Sequence, residues 1–308
     1  MTNHLIELNQ FELIRVSGPD AREFLQGQVS CNMDLLNDKL SRRGAICNLK
    51  GRVVSDLRVI AEGDNCLLAI SAGMGEKVVE LLNKYIVFSN AEIEMVDDNF
   101  THYGLLGDTT ADLINALFGS CPATPDAVVA DGASKVIRLT GHTPRFEIWL
   151  APGAHACHKT LKDGTQSGQP DDWLAEDILA GIIHIDPVLA DKYTPQLLNY
   201  DLSGVIDFNK GCYTGQEIVA RMHYLGNAKL RLFHATVDTD YAIQPTSVVT
   251  HSAEDTIKES QILSYVNQPQ CNQLLVILPL AAVENDRSFL LDDQPGASLQ
   301  VQSLSSEE

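Results

Sequence analysis

The stretch Lys210-Gly211-Cys212-Tyr213-Thr214-Gly215-Gln216-Glu217 combines a thiol, an ammonium and two glycines in one short segment. Cysteine is chemically active as its thiolate, a form favoured beside a cation or just ahead of a helix N-terminus. Thr214 and Glu217 stand at capping-box spacing. This predicts a helix that starts at Gly215, runs through Ile218, Val219 and Met222, and stops at Gly226. An extended approach to that helix puts Lys210 and Cys212 on one side, ammonium beside thiol. Gly211 and Gly215 remove side-chain bulk and let a ligand approach the backbone. The same residue types also suit a plainer arrangement, a small buried cysteine in a glycine turn, which is the commoner fate of a free thiol.

Other chemistry-bearing patterns are incomplete. Gly73-Met74-Gly75 lacks the third glycine of a dinucleotide fingerprint. His155-Ala156-Cys157-His158 has ligand-type residues but no second pair at zinc-site spacing, and reads as a polar helix face. The seven cysteines form no CxxC pair, so neither a disulfide framework nor a stable metal site is expected. Met1-Thr2-Asn3-His4 carries no basic n-region. The longest apolar run, Leu274 to Val283, is about half of the ~20 residues that span a bilayer. These features predict a reduced, cytoplasmic protein with no membrane partner.

Charge narrows the partners further. With 22 lysines and arginines against 41 aspartates and glutamates, the chain carries −19. That disfavours direct binding of nucleic acid or an anionic membrane. The charge is unevenly spread. Residues 236–308 hold 11 acids and 2 bases, whereas residues 41–60 hold 5 bases and 1 acid.

The elements that must position these residues can be read from periodicity. Ser17-Gly18-Pro19-Asp20 predicts a helix start, with Ser17 as cap and Pro19 in the first turn, carrying Phe24, Leu25 and Val29 toward a core. Val53–Ile60 and Cys66–Ile70 read as strands joined at Gly63-Asp64. Val78, Leu81, Leu82 and Tyr85 repeat at helical spacing, and Ile93 and Met95 alternate with glutamates. Residues 45–97 therefore read as a β-β-α-β subdomain. A helix at about 110–118 and strands at about 135–140 and 145–150 follow, the last with Phe146, Ile148 and Leu150 facing one way. Asp172 is expected to cap a helix lined by Leu174, Ile178 and Ile182. From about residue 235 short strand-like runs predict a small all-β domain, with 303–308 a frayed tail. No internal repeat is visible.

Lys210 to Glu217, followed by Ala220-Arg221 and Tyr224-Leu225-Gly226, resembles the signature of the YgfZ family, folate-binding proteins related to glycine-cleavage aminomethyltransferases. Phe24-Leu25-Gln26-Gly27-Gln28-Val29, Lys50-Gly51-Arg52 with Asp56-Leu57-Arg58, Trp173-Leu174-Ala175 and Pro195-Gln196 resemble further blocks of that family. The resemblance implies an α+β, aminomethyltransferase-like fold around a central opening. Its parts would be a discontinuous folate-binding domain (1–44 and 98–234), a ferredoxin-like subdomain (45–97) and a small β-barrel (235–302). It implies folate or tetrahydrofolate bound by Phe11, Trp173, Gln28 and Asp56, and Cys212 as a functional thiol with Lys210 as its neighbour. Gly211, Tyr213, Thr214, Gly215, Gln216, Glu217 and Arg221 would support the motif. The implied role is accessory to iron–sulfur enzymes or their assembly proteins, including enzymes that modify tRNA. The alternative is tetrahydrofolate-dependent one-carbon transfer or demethylation. Two departures bear on it: Leu179 stands where the family often has an acid, and Ser55-Asp56 where the aminomethyltransferases have paired carboxylates. The missing carboxylate leans the reading away from catalysis.

Overall fold

The computed structural model describes residues 3–304 apart from 97–99, 227, 239, 254–255 and 295. In chain order the first elements are β1 (His4–Glu7), β2 (Phe11–Ser17), α1 (Ala21–Gln26), β3 (Arg42–Cys47), β4 (Val53–Glu62), β5 (Asn65–Ser71), α2 (Gly75–Asn83) and β6 (Glu92–Met95). Next come β7 (Thr101–Leu106), α3 (Thr110–Phe118), β8 (Val128–Asp131), β9 (Ser134–Leu139), β10 (Arg145–Leu150), α4 (His155–Asp163) and β11 (Gln166–Ser167). Then follow α5 (Pro170–Leu179), α6 (Gln216–Leu225), β12 (Leu230–Val237), β13 (Val248–Ala253), β14 (Thr256–Val266) and β15 (Asn272–Pro279). The chain closes with α7 (Leu280–Glu284), β16 (Phe289–Leu291) and β17 (Gln300–Ser303).

The first sheet has the order β3-β4-β5-β2-β6, antiparallel throughout. Setting aside edge strand β3, the path β2-α1-β4-β5-α2-β6 is a ferredoxin-like plait. The plait therefore begins at Phe11: its central strand and first helix come from upstream of the expected 45–97 segment. The second sheet, β11-β1-β7-β10-β9-β8, repeats the plan with β7, β8, β9 and β10 in the places of β2, β3, β4 and β5. Strand β1 takes the place of β6. The chain thus contains a topological duplication that its residues do not display, because a fold plan needs only the right polarity pattern.

Both plaits are buried on two faces. Along β4, Val59 and Ala61 enter one core while Ile60 enters another that includes Ile137, Leu139 and Trp149 of the second plait. Along β10, Phe146, Ile148 and Leu150 face one core together, as their alternation predicts, and Trp149 faces the other. The third sheet, β16-β13-β14-β15-β12-β17, is a curled, open half-barrel. It starts at Leu230 and carries helix α7. Ser303 pairs with Phe233, so the strand runs into the expected tail, whose residues 305–308 lie outside the described ones.

Two helix starts differ from expectation. Ser17 ends β2, and α1 begins at Ala21 after Asp20, whose carboxylate instead accepts from the Asn90 amide at 2.7 Å. Helix α5 begins at Pro170 with Gln169 as cap. Asp172 is its third residue and reaches back to the Gln169 amide at 3.0 Å. Ile182 falls beyond this helix, past Gly181 at φ +65°. Among the described residues no helix is long and apolar enough to cross a membrane.

Candidate functional site

The signature loop is anchored residue by residue. Lys210 turns inward, and its Nζ donates to the carbonyls of Gln26 (2.7 Å) and Val29 (2.5 Å) while lying 5.1 Å over the Tyr213 ring. Burial pushes the ammonium down to about 8 against the opposing pull of Cys31, Asp207 and Asp34. The thiol in its field is buried Cys31, so the expected pairing of Lys210 with Cys212 is replaced by a staple to the turn after α1. The Thr214 amide donates to Gly27 O and its hydroxyl to Gln28 Oε1 (3.2 Å each). Gln216 Oε1 accepts from the Tyr213 amide.

Gly215, at φ +82°, is the cap of α6, and a Cβ there would collide with the Asn48 carbonyl. No side chain caps this end. The expected Thr214–Glu217 box does not form because Thr214 is engaged by Gln28 and the helix starts one residue later. The backbone that approaches Gly215 is the protein's own. Gly211 by contrast faces open space. Cys212, Glu217 and Arg221 are exposed, and Cys212 is the exposed thiol among the described cysteines.

A second constellation lies between the two plaits. Asp56 on β4 accepts from the Ile185 amide (2.7 Å) and pairs with His184 Nδ1 (2.8 Å). The other ring nitrogen of His184 faces Asp177 at 3.7 Å, and Asp177 is bound by Arg145 at 2.7 Å. Burial alone would lower the imidazole, but Asp56 and Asp177 outweigh it and raise His184 to about 10. Arg58 bridges Asp126 (2.5 Å) and Glu147 (3.4 Å). Burial opposes ionisation of Glu147, yet Arg58 and His102 hold it down at about 2. The Phe11 ring packs edge-on against His184 at 4.9 Å and tilted against His102 at 5.4 Å.

This recess has only about 20 Å³, room for about one water. Through Arg43 and Ile182 it continues into an outer cavity of about 480 Å³ lined by the β9–β10 turn, residues 179–182, Asn199 and Leu304. That volume lies in the range of about 300–1,000 Å³ usual for small-molecule sites. The Arg43 guanidinium makes no hydrogen bond or ion pair among the described residues. Asn199 Oδ1 is buried and has no hydrogen-bond partner among the described residues. A cation and a free acceptor at one cavity could hold a ligand with a carboxylate tail and an amino-bearing ring.

The four expected folate residues do not converge. Phe11 and Asp56 share the recess, and Gln28 belongs to the signature loop. Trp173 is buried at 1 % exposure, its ring packed against Gly104 with Arg145 stacked above at 5.1 Å. It reaches the recess only through Arg145 and Asp177. Reading the sequence missed His184, Asp177, Arg145, Glu147 and Arg43. A partial signal existed: Asp56 with Arg58, and Arg145 with Glu147, place charges two apart on one face of otherwise apolar strands.

Paired plaits with a charged cleft between them and a half-barrel appended define an aminomethyltransferase-like protein. Residues 2–135 match the family model described as the GCVT N-terminal domain. The glycine cleavage system aminomethyltransferase T of Bartonella henselae has the same fold, with a TM-score of 0.81 at 18% identity over 98% of this chain and 86% of that one. The tRNA-modifying protein YgfZ of Colwellia psychrerythraea is 31% identical over 263 residues, 85% of this chain and 81% of that protein. Its counterpart in Photorhabdus laumondii is 29% identical over 302 residues, 97% and 91% of the two. The chain belongs to the YgfZ family.

Proposed function

We propose that this chain is a folate-binding accessory protein that supports iron–sulfur enzymes acting on tRNA, with Cys212 as its functional thiol. The observation that carries this reading is the signature loop itself. Lys210, Tyr213, Thr214, Gly215 and Gln216 are each fixed by a named contact, while Cys212 is left exposed. A thiol presented on an anchored loop suits transient contact with the iron of a client protein, and the relatives' description as tRNA-modifying supports such clients. Folate would occupy the outer cavity, its glutamate carboxylates at Arg43 and its ring amino group at Asn199, with Phe11 and Asp56 closing the inner end. The test is tRNA thiolation in a deletion background complemented with wild type or Cys212→Ala. Loss of the thiolated nucleosides with the variant is expected, and full rescue would remove the thiol from the proposal.

One observation favours the second reading, tetrahydrofolate-dependent one-carbon transfer. The second carboxylate that the sequence lacks beside Asp56 is supplied in space by Asp177, with His184 between the two. Such a group can hold or accept a proton next to a bound amine. Incubation with tetrahydrofolate and an aminomethyl donor, whose carbon already has the oxidation level of formaldehyde and which releases its amine on transfer, decides it: no methylene-tetrahydrofolate above background means no such activity.

A further inference from the structure

The second plait carries a cavity that neither the signature loop nor the cleft uses. It has a volume of about 480 Å³ and shares no lining residue with the recess or the outer cavity. Strand β11 pairs with β1 only at His4 and Leu5. The cavity opens where that pairing stops, between β1, Tyr103 of β7, the end of α4 and the first residue of α5. Leu5, Ile6 and Pro170 supply apolar lining. Glu7 from β1 and Lys162 from the last turn of α4 are the two charged residues of the lining.

A buried tyrosine fixes the floor. Tyr103 is 1% exposed, and its hydroxyl lies 2.7 Å from His158 Nε2 and 3.5 Å from Glu7 Oε1. Its ring stacks on that of His158 with centroids 5.6 Å apart. Burial, and then the Glu7 charge, raise the phenol, so the hydroxyl keeps its proton. A His158 tautomer protonated at Nε2 donates to the phenol oxygen and leaves the phenol proton for Glu7. The second carboxylate oxygen of Glu7 then stays open to a ligand. His158 and Lys162 are four residues apart on α4 and share a face, so the contact that seats His158 on Tyr103 also brings Lys162 to this cavity.

Glu7 and Lys162 line one cavity without pairing with each other, and neither makes an ion pair among the described residues. A lone anion would match Lys162 and be opposed by Glu7; a lone cation would meet the reverse. A ligand that carries both signs satisfies both walls. We propose that this cavity binds a small zwitterion with an apolar body, a free amino acid or a short peptide. Its ammonium is held by Glu7, its carboxylate by Lys162, and its body lies on Leu5, Ile6 and Pro170. One acid and one base leave the lining neutral, so such a ligand enters without the repulsion that a chain of −19 imposes on an anion.

Calorimetric titration of the full chain with leucine, leucyl-leucine, N-acetyl-leucine and leucinamide tests the site. Saturable one-to-one binding of the two zwitterions is expected, and the tighter of them sets the spacing of the charged groups. N-acetyl-leucine lacks the ammonium and leucinamide the carboxylate, so each should bind about tenfold more weakly than leucine. Glu7→Gln and Lys162→Gln, both at exposed positions, should each weaken leucine about tenfold with melting temperature unchanged. The losses should be selective. Glu7→Gln should remove the preference for leucine over N-acetyl-leucine, and Lys162→Gln the preference over leucinamide. Three results overturn the proposal: no saturable heat below about 10 mM of either zwitterion, a blocked derivative bound as tightly as leucine, or undiminished affinity in the Glu7→Gln/Lys162→Gln double variant.

Discussion

Between Asp56 and Asp177, the His184 imidazole is held as its cation, and linkage fixes what this does to stability. A group raised from 6.5 to about 10 contributes fully below about 6.5, and the contribution is lost as pH rises through about 10. Glu147, lowered from 4.5 to about 2, contributes above 4.5 and loses its contribution as pH falls through about 2. Thermal melts of wild type and His184→Gln should therefore differ most below about pH 6.5 and converge toward about pH 10; a gap that widens with pH would refute the cationic assignment. The thiols make a second prediction. Burial pushes Cys31 up to about 11 and Cys47 up to about 12, while Cys212 is exposed. Limited iodoacetamide treatment followed by peptide mapping should place the first label on Cys212 and leave Cys31 and Cys47 unmodified in the folded chain.

The signature is held to its neighbours by backbone chemistry, and this makes Lys210 an architectural residue. Lys210→Met keeps the stem and removes two charge-assisted bonds to Gln26 and Val29, which should cost about 1.5–3 kcal/mol in urea unfolding. Gly215→Ala should cost more than an ordinary surface change, since its φ of +82° and the Asn48 carbonyl leave no room for a Cβ. Equal stability of both variants and wild type would mean that the loop is not anchored as described. At this scale much was legible. The hairpin at Gly63-Asp64, helix α2 and the alternation along β10 follow from period alone. The starts of α1 and α6 did not, because several polar residues compete to cap each helix and tertiary partners decide: Asn90 claims Asp20, and Gln28 claims Thr214.

Across the molecule, the cleft exists because two plaits of one plan face each other. Arg43, at the junction of recess and outer cavity, should set affinity for the glutamate tail of a folate. Arg43→Gln is expected to weaken tetrahydrofolate binding about tenfold in a fluorescence titration, with the melting temperature unchanged. Trp173→Ala should act differently. It leaves a void beside Gly104, costs about 3–5 kcal/mol of stability, and weakens folate only as far as Arg145 and Asp177 shift. An affinity loss in Trp173→Ala without a stability loss would instead place the indole in the ligand site.

The amino-acid sequence by itself determined the family, the α+β class, most strand and helix positions and the segment that carries the thiol. Each of these is written in local residue types and in a period of two or 3.6, which a linear reading retains. Only the tertiary structure decided that Lys210 serves the turn after α1 rather than Cys212, that the two halves share one plan, and that Asp56 meets His184 and Asp177. The physical reason is separation along the chain. Asp56 and His184 lie 128 residues apart, and Lys210 and Val29 lie 181 apart. Burial then makes each such meeting costly unless charge and hydrogen bonds match, a condition that no local pattern records.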